Sequence, residues 1–216
     1  MFGVAIALGV ALGTTAVWYS LRMAADVNES IQPVEARHTS GVTRTLFLGG
    51  GAVIGGGTGW IITRMSDGPT ATLLVVLTLL FLVQGLFDFL TMRLSRPVTA
   101  YAFVVVAAIV TIDARIANSW TNAAAAWSIA AAVVALFGIL HRYTPKSLGF
   151  EDVLLVAPLA LAVGYVVPQE IARWLLLASA SAALHGGARR TRRSASMIPF
   201  GPHLLGAGWL TLVMNV

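Results

Sequence analysis

The chain contains no cysteine in its 216 residues. That excludes disulfides, thiolate catalysis, zinc ribbons and iron–sulfur ligation. Charge is nearly as scarce: Asp, Glu, Lys and Arg make up 11% of the sequence, against about a quarter in a soluble domain. The four histidines, His38, His141, His185 and His203, share no spacing, and no HExxH occurs, which disfavours a metallopeptidase. No GxSxG is present to mark a serine nucleophile. Nor does any basic stretch interleave with aromatics as a nucleic-acid groove requires, despite a net charge of +5.

What remains is hydrophobic. Apolar residues account for 57% of the chain, and its mean hydropathy is +0.83. Charges gather in short breaks between long apolar runs, the pattern of a polytopic membrane protein. The expected fold is all-α, with eight transmembrane helices near residues 2–20, 46–63, 70–92, 98–112, 123–140, 153–168, 171–185 and 197–214. The first run has no basic residue ahead of it, so it is expected to be a retained anchor, not a cleaved signal.

Loop charges orient these segments. Of the 14 basic residues, all but Arg64, Arg115 and Arg173 fall in the odd loops. Those loops hold Arg22, Arg37 and Arg44, then Arg93 and Arg96, then Arg142 and Lys146, and lastly Arg189, Arg190, Arg192 and Arg193. The positive-inside rule therefore puts the odd loops in the cytoplasm and both termini outside, for a multi-pass protein of the inner or plasma membrane. Glycine-rich GGGAVIGGGTGW lacks the lysine and strand–loop–helix setting of a phosphate loop. Its Gly51 and Gly55, with Gly9 and Gly13, read instead as small residues that let helices approach closely.

Against this background Asp88 stands out. It lies inside LLVVLTLLFLVQGLFDFLTMRLSRP, residues 73–97. A carboxylate at a bilayer centre costs roughly 2.5–3.5 kcal/mol, so intramembrane acids mark a partner or a task. A salt bridge with Arg93 is the structural alternative. Asp113, in VTIDARIANSW, reads as an interfacial acid paired locally with Arg115. Glu151 and Asp152, alone, read as first-turn acids of the sixth segment, favoured by the helix dipole.

Segment counting links two of these acids. Two segments separate Asp88 from Asp152, so both return to the cytoplasmic face, whereas one segment separates Asp113 from Asp152. If two carboxylates meet, the pair is Asp88 and Asp152. Facing carboxylates in a low dielectric share a proton. The ionised one can then deprotonate water while the protonated one polarises a peptide carbonyl, without metal or cofactor.

Three motifs carry a resemblance. DFLTMRLSRPVT begins at Asp88, GFEDVLLVAPLALAVGY at Gly149, and MIPFGPHLLGAGWL follows near the C-terminus. In this order they resemble the type IV prepilin leader peptidases, membrane aspartic peptidases with a GxGD motif. The resemblance covers residues from about 75 to the end. It divides the chain into N-terminal membrane segments with a short cytoplasmic loop (1–69) and a peptidase-like core (70–216). It implies an α-helical aspartic endopeptidase with Asp88 and Asp152 as catalytic acids. Gly149, Glu151, Arg93, Pro199, Gly201 and Pro202 would shape the site. The substrates would be leader peptides of type IV pilin-like precursors, cut at the cytoplasmic face of the bilayer.

Two departures qualify that expectation. Glu151 stands where the family has glycine, adding bulk and charge beside Asp152, and Leu154 stands where Lys or Arg is common. The loop at 21–44 carries no cysteine-bearing domain, so no methyltransferase activity is expected. A degenerate pilin-binding relative, silenced by Glu151, and a small proton- or cation-coupled transporter using Asp88 are the competing readings.

Overall fold

In the computed structural model, residues 2–31, 41–65, 68–91, 94–144, 148–190 and 200–215 are described. They contain helices and turns and no strand. In order these are α1 (Phe2–Ile31), α2 (Gly41–Ile62), α3 (Gly68–Leu80), α4 (Leu86–Thr91), α5 (Arg96–Ile116), α6 (Trp120–Tyr143), α7 (Phe150–Val166), α8 (Ile171–Arg190) and α9 (Gly201–Asn215). A π-helical turn, Phe81–Gly85, joins α3 to α4 without a break, so they form a single rod. A 3₁₀ turn, Pro168–Glu170, leads into α8.

The uniform helicity has a simple cause. Within hydrocarbon no water can satisfy backbone N–H and C=O groups, and a helix pairs them within one segment. Among the described residues, five stretches are long and apolar enough to cross a membrane: Val4–Met23, Thr45–Ile62, Gly68–Asp88, Arg96–Ile116 and Trp120–Tyr143. These match the first five runs expected from the sequence. The remaining three expected runs coincide with α7, α8 and α9, apart from residues 197–199 of the last, which lie outside the described residues; α7 has 17 residues and α9 has 15. Both are shorter than the ~20 residues a perpendicular span needs.

Helix ends follow local chemistry. Ser95 is the extended residue ahead of α5, and Pro97 follows in its first turn, where a missing N–H costs nothing. Asn118 adopts a positive φ of 52° in the turn between α5 and α6, a conformation Asn tolerates well.

Helix α7 lies at the centre, packed against α5, α6 and α9. Leu155, Val156, Leu159 and Leu161 are wholly enclosed, together with the run Ala160–Val163. Its sequence is apolar all round, and most of its faces meet protein, with Leu154 among the exceptions. Trp174 donates from Nε1 to the Leu204 carbonyl at 3.0 Å and ties α8 to α9. Trp209 donates to Thr78 Oγ1 at 3.0 Å, and Thr78 in turn meets Thr58 Oγ1 at 3.1 Å, linking α9, α3 and α2.

The α1–α2 pair is held by glycine. A Cβ on Gly9 or Gly13 would strike the carbonyl of Gly55 or Gly51, respectively, so the two backbones touch directly. This pair joins the rest through its own small cluster, in which Ala16 and Val17 of α1 meet Leu82 of the π turn. Ser20 donates to the carbonyls of Leu82 and Val83 at 3.2 and 3.0 Å, serving backbone oxygens that the wide turn displaces.

Candidate active site

Asp88 is in the first turn of α4, immediately after the π turn, and only 5% exposed. Its carboxylate accepts a hydrogen bond from the backbone N–H of Gly201, the first residue of α9. The contact is close: a Cβ at position 201 would stand 2.6 Å from Asp88 Oδ2. The glycine of IPFGP therefore supplies both a donor and the space for the acid. One turn earlier, the fully buried Gln84 bridges to the start of α5. Its Nε2 donates to the Ser95 carbonyl at 2.7 Å and to Thr99 Oγ1 at 2.8 Å, and its Oε1 accepts from the Ser95 N–H at 3.0 Å.

Asp152 occupies the corresponding place on α7. Gly149 is extended and precedes the helix, and Asp152 Oδ2 accepts its N–H at 3.0 Å. The Asp152 N–H returns to the Gly149 carbonyl at 3.2 Å. This reciprocal closure is the side-chain half of a capping box, so Asp152 also performs the helix-starting role its position suggests. It is 8% exposed. The segment ahead of it is anchored by His141, whose Nδ1 lies 2.8 Å from the Leu148 carbonyl.

The two acids lie at the same end of the bundle, near enough for the charge of Asp152 to bear on Asp88. Glu151 acts on both. Its side chain turns outward, however, and pairs with Arg96 on α5, Oε1 to Nη2 at 3.4 Å. Arg96 is 66% exposed and Glu151 34%, so this ion pair sits at the mouth of the site, outside the two buried carboxylates. Glu151 thus has a cation of its own.

The other expected residues divide clearly. Pro202 lies in the first turn of α9 beside Gly201. Arg93 and Pro199 lie outside the described residues. Asp113 is at the far end of the bundle: it accepts a hydrogen bond from Tyr165 OH, thirteen residues along α7 from Asp152 and so about 20 Å away along the axis. The expected local pair with Arg115 is replaced by this bridge from α7, since a phenol on a neighbouring helix reaches the carboxylate. His203 belongs to a chain on α8 and α9, with Nδ1 3.0 Å from Ser181 Oγ and Nε2 3.1 Å from His185 Nδ1.

Sequence reasoning overlooked Gln84, Arg96 and His141. Gln84 carried a legible signal, as the one carboxamide in an otherwise apolar run. Arg96 reads as loop charge and His141 as a histidine of no shared spacing, because the partner of the first comes from another helix and that of the second is the Leu148 carbonyl just ahead of α7.

Fold and site together define an all-helical chain, with apolar helices suited to a membrane, that places two buried carboxylates at the same end of its bundle. Compared with protein-family models, curated proteins and solved structures, the chain matches none.

Proposed function

We propose that this protein is a membrane-embedded aspartic endopeptidase whose acids are Asp88 and Asp152, and that it removes leader peptides from type IV pilin-like precursors. The observation that carries the reading is that these two buried carboxylates share one end of the bundle, within reach of each other's charge, each beside the backbone N–H of a glycine in a separate motif. Gly201 holds Asp88 and Gly149 holds Asp152.

Two neighbouring carboxylates sheltered from water hold one proton between them. The ionised partner removes a proton from water, and the resulting hydroxide attacks the scissile carbonyl. The protonated partner hydrogen-bonds the carbonyl oxygen and transfers its proton as the tetrahedral intermediate forms. Collapse of that intermediate passes a proton to the leaving amine, breaks the C–N bond and restores the shared proton. The glycine N–H groups fix one face of each carboxylate, so neither side chain has to reorganise during the cycle.

In this reading all eight helical rods cross or enter the bilayer, both termini lie outside, and the carboxylate end faces the cytoplasm. Charge supports that orientation, since Arg96 and Arg142 lie at the same end as Asp88 and Asp152. The mouth is then level with the junction between a basic leader and an apolar segment in a precursor.

The test is co-expression with a pilin-like precursor, read by the mobility and N-terminal sequence of the product. The native chain should release a shortened product, and Asp88→Asn or Asp152→Asn should leave the precursor intact. Unchanged processing by either variant would refute the assignment of that acid. A pH-driven ion flux in liposomes, with no cleavage, would favour a transporter instead.

A further inference from the structure

Gln84 does nothing in the chemistry above, yet it is the most completely satisfied polar side chain near it. Burying an amide without partners costs on the order of 2–7 kcal/mol, and Gln84 is fully buried. Both Nε2 bonds and the Oε1 bond go to a single place, the first turn of α5. The direction of the amide is fixed by chemistry. Ser95 offers one donor and one acceptor, so a flipped amide would set donor against donor. The π turn, Phe81–Gly85, is what brings Gln84 round to this position one turn before Asp88.

We propose that Gln84 is a positioning residue for the carboxylate pair, fixing the backbone at Ser95 so that Arg96 stays against Glu151. The chain of contacts is continuous. Gln84 binds Ser95, Arg96 follows Ser95, and Arg96 pairs with Glu151 at 3.4 Å, next to Asp152. Without that anchor the long, exposed Arg96 side chain loses its fixed origin, and Glu151 is left as an uncompensated charge beside the acids. An exposed ion pair is weak in itself, so its geometry depends on where the backbone holds it. The catalytic consequence rests on the peptidase reading; the structural one does not.

The absence of cysteine allows a direct test. Spin labels on Ala100→Cys and Phe150→Cys, exposed positions on α5 and α7 that leave Arg96 and Glu151 in place, should give one narrow distance distribution in the purified full chain with Gln84 present. Adding Gln84→Met, which keeps the volume and removes the three hydrogen bonds, should broaden or shift it by several ångström. An unchanged distribution would overturn the proposal, whatever the chain does to precursors. In the cleavage assay, Gln84→Met should lower kcat about tenfold through misplacement of the reacting groups, with KM changed by no more than about twofold. Gln84→Met combined with Glu151→Gln should recover most of that loss, whereas an equal loss in the double variant would overturn the route through Glu151. If Gln84→Met fails to accumulate, Gln84→Asn, which keeps the amide one methylene short, takes its place in both measurements. A native chain that cleaves nothing counts against the peptidase reading alone, because the distance measurement still decides this one.

Discussion

The carboxylate of Asp88 rests on the backbone of Gly201, accepting its N–H where α9 begins. A methyl group at position 201 would come within 2.6 Å of Asp88 Oδ2, closer than any real Cβ contact allows. Leu94 crowds the same spot, with side-chain atoms 3.2 and 3.3 Å from that Cβ. Gly201→Ala should therefore push Asp88 out of register while the fold persists. The expected outcome is a loss of roughly a hundredfold in kcat, the scale that a displacement near 1 Å produces. Single-turnover cleavage of a precursor, with thermal unfolding as the control for folding, would check it.

Asp113 provides the opposite case. It is an acid in an apolar helix, but its partner is Tyr165, at the end of α7 remote from Asp152. Asp113→Asn should leave cleavage within about twofold of the native rate, since it weakens only a bond between α5 and α7, from charge-assisted to neutral. It should lower thermal stability by about 1 kcal/mol, the usual worth of such a hydrogen bond. Tyr165→Phe should cost a similar amount, and the double variant little more. Loss of cleavage in Asp113→Asn would move the catalytic acid to the other face.

The contrast between these acids shows what the sequence could convey. Apolar run length located the helices because helix formation in hydrocarbon depends mainly on length and hydropathy. Segment parity placed Asp88 and Asp152 at one end of the bundle because an even number of crossings returns the chain to one side. Neither signal encodes lateral packing. That Arg96 meets Glu151, that Tyr165 reaches Asp113, or that Gln84 binds Ser95 depends on rotations about helix axes, which apolar surfaces on all sides leave undetermined. The central place of α7 was hidden for the same reason, since an apolar run reads alike whether lipid or protein surrounds it.

Packing of α1 on α2 gives a prediction independent of chemistry. Gly55→Val should force apart two backbones that now touch, because a Cβ there would overlap the Gly9 carbonyl. Overpacking of this kind costs roughly 1–3 kcal/mol. Gly57, on the same helix, has nothing within 4 Å of its would-be Cβ. Gly57→Ala should thus be neutral or mildly stabilising. Thermal unfolding in detergent would separate them, with a drop of about 2–4 °C per kcal/mol expected for Gly55→Val. Equal midpoints would show that the two helices do not depend on their glycine contact.

Glu151 stands beside Asp152, and its pairing with Arg96 makes its charge a measurable coupling. The pair is exposed on the Arg96 side, so its direct contribution to folding should be below about 1 kcal/mol. Its effect on cleavage should be larger, because Glu151 acts on both buried carboxylates while Arg96 offsets its charge. Arg96→Gln should accordingly reduce kcat/KM by about fivefold or more, the equivalent of 1 kcal/mol. Arg96→Gln with Glu151→Gln should return to within about twofold of the native rate, since charge and compensation leave together. Glu151→Gly should match the native chain or exceed it. A double-mutant cycle on precursor cleavage at low salt measures the coupling, which added salt should shrink. If the two losses instead add, Arg96 serves the site through some contact other than Glu151, and the glutamate is merely tolerated at the mouth.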